Sequence, residues 1–215
     1  MRRTAVTAGV LFLLTEAAAI AGAVLYRPLL AGEGAGADDR AVLGALCELV
    51  LVAAVAGTAV TLFPVVRRWG GTAALGYLCA RLLEAVLILF GIVAVLALVT
   101  LRREPAGAGA DTVAAVLVAV HDWTFLLGPN LFLGLNTALL AALMYRSRLV
   151  PRPIAVLGLV GGPLICASAV AVLSGLYAQL SVPGSLAALP VFAWEVSLAL
   201  WLVIRGFRRP AVSPR

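Results

Sequence analysis

Five ionisable side chains stand inside the long apolar stretches of this chain: Glu16, Glu48, Arg81, Glu84 and Glu195. A charged side chain at the centre of a bilayer-spanning helix costs about +2.5–3.5 kcal/mol on insertion scales, so such residues belong in a shared interior rather than against lipid. Arg81 and Glu84 are three positions apart, a spacing that pairs them on one helix face. With Arg81 as the single cation among four glutamates, full ionisation leaves the layer with three uncompensated negative charges. A dry interior does not hold them. Some glutamates then carry protons, or a cation occupies the site, or water enters from outside. Each alternative is proton, cation or amine chemistry. The competing reading is architectural, with the same charges fixing helix register by bonding to one another and to backbone carbonyls.

Other chemistry is poorly represented. His121 is the single histidine, so paired-histidine haem ligation and multi-histidine metal hydrolysis lack ligands. No serine–histidine or cysteine–histidine arrangement, P-loop or dinucleotide fingerprint accompanies the glutamates, and no cofactor is implied. Cys47, Cys79 and Cys166 are odd in number, widely spaced and embedded in apolar sequence, which suits small packing residues. His121-Asp122-Trp123 reads as a helix N-terminus, with Asp122 as cap and Trp123 as interface anchor, or else as a proton antenna at the outer surface. Trp194 beside Glu195 is a weaker candidate for a cation pocket, because adjacent helical residues face different directions.

The elements that position these residues follow from composition. The chain is 63% hydrophobic and 12% charged, with a mean hydropathy of +1.10. A soluble domain carries about 25% charged residues, so this chain belongs with membrane proteins. Six stretches have the roughly 20 apolar residues a spanning helix needs: Val6–Tyr26, Ala41–Phe63, Thr72–Leu101, Thr124–Tyr145, Ile154–Leu180 and Leu186–Arg205. The expected fold is therefore all-α, a polytopic bundle of about six transmembrane helices forming one domain over residues 1–215. Arg2-Arg3 followed by an apolar run also fits a signal peptide, although Glu16 within that run argues against it. Val113, Val116, Leu117 and Val120 share a helical face, and we expect a short helix there lying on the membrane surface.

All sixteen cations are arginines, and they cluster at the ends of apolar stretches rather than on a patch suited to nucleic acid. With the N-terminus in the cytoplasm, eleven arginines lie inside and four outside: Arg27, Arg40, Arg102 and Arg103. The positive-inside rule then places both termini in the cytoplasm of a bacterial inner membrane. Tyr26, Trp69, Trp123 and Tyr145 fall near the expected interfaces. At 1.5 Å per residue, all five charged positions fall between the midplane and the outer half of a core ~30 Å thick. Gly128-Pro129-Asn130 lies at a similar depth. There Pro129 frees a carbonyl to which Asn130 can bond, and Asn136 sits lower on the same helix. Gly158, Gly162, Cys166, Ala167, Ala171 and Gly175 form a small-residue stripe, read as packing within the monomer ahead of a dimer interface.

Several segments carry a resemblance. They are Ala8–Glu16, Gly128–Gly134, the turn Pro151-Arg152 leading to Leu157-Gly158-Leu159, and Trp194-Glu195 through Trp201-Leu202 to Gly206-Phe207. In these the chain resembles the bacterial membrane family known as domain of unknown function 4386, over nearly its whole length. The resemblance implies a multi-pass membrane protein and supplies no catalytic residues. Two functions then compete. One is a small carrier or ligand-binding protein in which Glu16, Glu48, Arg81, Glu84, Asn130 and Glu195 hold a small cationic or protonatable ligand. The other is an accessory subunit, partnered by the bilayer, whose charges only specify the fold. A membrane enzyme is a poorer fit, since no nucleophile or metal set is present.

Overall fold

The computed structural model describes residues 1–34, 36–104, 107 and 109–208. Arg209 and Arg215, used in the orientation argument, lie outside the described residues. The described chain is helical, with no strand. Six helical runs are long and apolar enough to cross a membrane. They are α1 (Arg2–Leu30), α2 (Ala37–Val66, extended by a short 3-10 turn to Trp69), α3 (Gly71–Arg103), α4 with α5, α6 (Arg152–Leu173) and α7 (Val182–Ile204). The fourth run joins α4 (Ala110–Leu126) to α5 (Leu133–Ser147) through a π-helical segment, Leu127–Phe132. This is an integral, multi-pass membrane protein.

The surface helix expected near Val113–Val120 is not there. Those residues continue without a break into the fourth span, because nothing between Thr112 and Leu126 interrupts the backbone hydrogen-bond ladder. Pro129 is absorbed instead by the π segment, where the widened turn accommodates a residue that lacks an N–H and crowds the preceding turn. Asp122 is consequently mid-helix and exposed, not a cap. The fifth span stops at Leu173, seven residues short of the expected end. Gly175 adopts φ 74, and the N–H groups of Leu176 and Gly175 return to the carbonyls of Ala171 and Val172 at 3.0 and 2.9 Å. This capping motif needs a left-handed residue that glycine supplies without strain.

Each span packs against its neighbour in sequence, and α7 closes the ring against α1. Two apolar cores fill it. One gathers Phe12, Leu62, Tyr77, Leu140, Met144, Ala155, Trp194 and Leu198 from six helices at the end where α1 begins and α7 ends. The other, at the opposite end, draws its buried residues from α1, α2 and α3 alone, including Leu51, Ile88 and Val95. The ring is therefore sealed at one end and loosely filled at the other. At the sealed end Arg2 donates to the Val203 carbonyl at 3.3 Å. The Arg208 N–H there reaches the Leu149 carbonyl at 2.8 Å. At the loose end Arg102 pairs with Asp38 at 3.0 Å, and Arg103 with Asp39 at 3.4 Å. Two of the four arginines that counted against the expected orientation thus have acidic partners.

The small-residue stripe on α6 serves contacts inside the chain. A Cβ on Gly158 would meet Ala141 and the Trp194 ring, both at 2.7 Å, and one on Gly162 would meet the Gly134 carbonyl at 2.6 Å. Since backbone cannot yield as a flexible side chain does, Gly162→Leu is expected to lower stability by about 3 kcal/mol or more. Gly71→Ala, where nothing lies within 4 Å, should be neutral. Thermal unfolding in detergent checks both: the first should melt markedly lower, the second within a degree or two of wild type.

Candidate functional site

Between the two cores lies a polar layer centred on Arg81, which is 1% exposed. Its Nη1 contacts Glu84 Oε2 on the same helix at 3.1 Å and Glu195 Oε1 on α7 at 3.3 Å. Its Nε donates to the Thr58 hydroxyl of α2 at 3.1 Å, and its guanidinium carbon stands 5.2 Å from the centre of the Phe12 ring. Nη2 has no partner. Thr58 passes its own proton to the Val55 carbonyl at 2.7 Å. Asn136 on α5 completes the group, donating to Glu84 Oε2 at 2.7 Å and to the Phe132 carbonyl at 2.8 Å. One side chain thereby ties the carboxylate to the end of the π segment.

Glu16 joins this group from α1, with its carboxyl beside that of Glu195 and facing Arg81 and Glu84. Glu48 does not. It is buried on α2 ten residues from Thr58, or roughly 15 Å along the helix axis, so it stands well above the Arg81 level. The expectation that four glutamates meet is thus met by three, with Glu48 set apart. All of Glu16, Glu48, Arg81, Glu84, Asn130 and Glu195 nevertheless line one cavity of about 360 Å³. Its remaining wall is largely apolar, including Ile20, Leu51, Ile88, Val191 and Phe192.

Asn130 makes no side-chain hydrogen bond among the described residues. It is Asn136, which sequence depth alone had placed below the layer, that bonds a backbone carbonyl here, that of Phe132 at the end of the π segment. Trp194 is not part of the site; it is wholly buried in the sealed core. Thr58 and Phe12 went unnoticed in the sequence. An isolated threonine in an apolar run is the one local signal for the first, and nothing local marks the second.

A second cavity of about 700 Å³ adjoins the first toward the loose end, and Ala23, Glu48, His121 and Phe125 line both. Tyr26, expected at an interface, instead turns into the bundle and is 1% exposed. Its ring meets that of His121 edge-on at 5.7 Å. The polar layer is therefore covered by packed core on one side and by a passage on the other.

Thr58→Val removes the acceptor for Arg81 Nε while keeping the shape of the side chain. Buried hydrogen bonds to charged groups contribute about 1.5–3 kcal/mol in water, and intramembrane ones average about 0.6, so a loss of roughly 1–2 kcal/mol is expected. The melting temperature of the purified variant measures it.

A family model described as a domain of unknown function (DUF4386) matches residues 7–206. No curated protein and no solved structure matches the chain.

Proposed function

Starting from the chain's membership of the DUF4386 family, we propose that it is a small carrier or ligand-binding protein for protonatable or cationic solutes. One observation carries this reading. Glutamates from four helices line a single apolar-walled cavity that opens toward one end of the bundle and is sealed at the other. A purely architectural network would collapse its carboxyls onto one another and onto backbone. Here Glu48 stands away from the ion pairs. Among the described residues Arg81, which holds Glu84 and Glu195, is the only arginine lining the cavity. Among the described residues no three of His, Cys, Asp or Glu gather as metal ligands do, which favours protons or organic cations over metal ions. We place both termini in the cytoplasm of a bacterial inner membrane, so that the passage opens outward. The arginine-rich end is the sealed one, in keeping with the positive-inside rule.

Single substitutions Glu16→Gln and Glu48→Gln test the reading, because each removes a charge while keeping shape. Folded yield and proton or amine flux in liposomes are measured together. Flux should fall by about tenfold or more, a barrier increase of about 1.4 kcal/mol, with yield retained. Unchanged flux with reduced yield would return the cluster to the architectural reading.

A further inference from the structure

The wider cavity holds a group of residues whose chemistry selects a ligand more narrowly than the carrier reading does. Tyr26, His121 and Phe125 stand together there: the Tyr26 and His121 rings meet at 85°, and the His121 and Phe125 rings stack at 6.3 Å and 6°. All three line the wider cavity with Glu48. Gly22 lets the Glu48 stem lie against α1, since a Cβ there would stand 2.8 Å from Glu48 Cγ. The carboxylate is thus held at the neck between the two cavities. On this wall the Tyr26 hydroxyl faces the Glu48 carboxyl, and the buried Gln179 Nε2 has no hydrogen-bond partner among the described residues. Val118, Ala119, Leu126, Val172 and Leu180 supply apolar surface around them.

We infer that this cavity is a site for an alkylammonium ion, its head group at Glu48 between Tyr26, His121 and Phe125 and its apolar body against α4 and the α6–α7 connection. Aromatic faces attract cations, most strongly when the site is desolvated, and a single carboxylate supplies the opposite charge. A small hard cation would need several oxygen ligands that this wall lacks. An anion would meet Glu48 unpaired. Arg27 and Asp122 stand at the exposed mouth with opposite charges, leaving Glu48 as the uncompensated one deeper in. The inference deepens the carrier reading and rests on it for the role given to Glu48.

The test uses the full chain in nanodiscs of neutral lipid at pH 8, titrated with benzyltrimethylammonium and with its uncharged isostere neopentylbenzene. The ammonium should bind about tenfold or more tightly than the isostere, and Glu48→Gln and Phe125→Leu should each weaken it severalfold. Val60→Leu, on the outer surface of α2, should change nothing. Equal binding of the two probes by the wild-type protein, or full ammonium affinity in both variants, overturns the site. If the ammonium does not bind while flux still depends on Glu16, this site falls and the carrier reading stands. If it binds as expected while Glu16→Gln leaves flux unchanged, the site stands and the carrier reading falls.

Discussion

Replacing Arg81 by methionine is expected to destabilise the protein by about 3–5 kcal/mol, the cost of stranding buried charges whose partner is gone. Glu84 and Glu195 would lose their shared cation, at 3.1 and 3.3 Å in the wild type, and Thr58 would lose a donor. Against a total stability of roughly 5–15 kcal/mol, a loss of that size takes a large share of the margin and lowers the yield of folded protein. The cause is electrostatic rather than steric, and this gives the prediction a second arm. Adding Glu16→Gln, Glu84→Gln and Glu195→Gln to Arg81→Met should recover much of the yield, because the chain then buries no unpaired charge at that level. Monodisperse protein recovered after solubilisation is the readout. An Arg81→Met variant that folds as well as wild type would show that the guanidinium is dispensable to the bundle.

The next largest effect should come from Asn136→Leu. The amide group donates both to Glu84 and to the carbonyl of Phe132, so one substitution leaves a carboxylate short of a donor and an end of the π segment without its brace. Intramembrane hydrogen bonds are individually modest, reaching about 1.7 kcal/mol at most in measured cycles, but two lost at once beside a charge should cost about 2–3 kcal/mol. Thermal unfolding reads the stability loss. Amide exchange should also quicken around Leu127–Phe132, a region that Thr58→Val would leave undisturbed. Exchange unchanged in that segment would contradict the coupling of the π segment to the charged layer.

Much of this was written in the sequence, for a reason of length scale. Hydropathy over about 20 residues is a strong signal, so the six spans were legible, and depth along a helix follows from counting. Depth sufficed to group Arg81, Glu84 and Glu195. It did not separate Glu48, because the band from midplane to outer face of a ~30 Å core is as tall as the roughly 15 Å between Glu48 and Thr58 along α2. Helix continuity was harder. His121-Asp122-Trp123 looks like a terminus in one dimension, and only the continuous helix α4 leading into the π segment shows how the chain passes through it. Rotation about each axis was least legible of all. Tyr26 and His121 occupy positions suited to an interface, yet both turn inward, since their neighbours Val24 and Trp123 take the lipid-facing directions. That choice depends on which helices flank them.

The claim beneath this account is that carboxyls in the middle of the bundle can be reached by a ligand. A lipophilic carbodiimide, which modifies accessible protonated carboxyls, tests it directly when the labelled residues are mapped by peptide mass. The account predicts labelling at Glu16 and Glu48, little at Glu84 behind Arg81 and Asn136, and protection of Glu48 by benzyltrimethylammonium. Absence of label at both Glu16 and Glu48 in folded protein would contradict it.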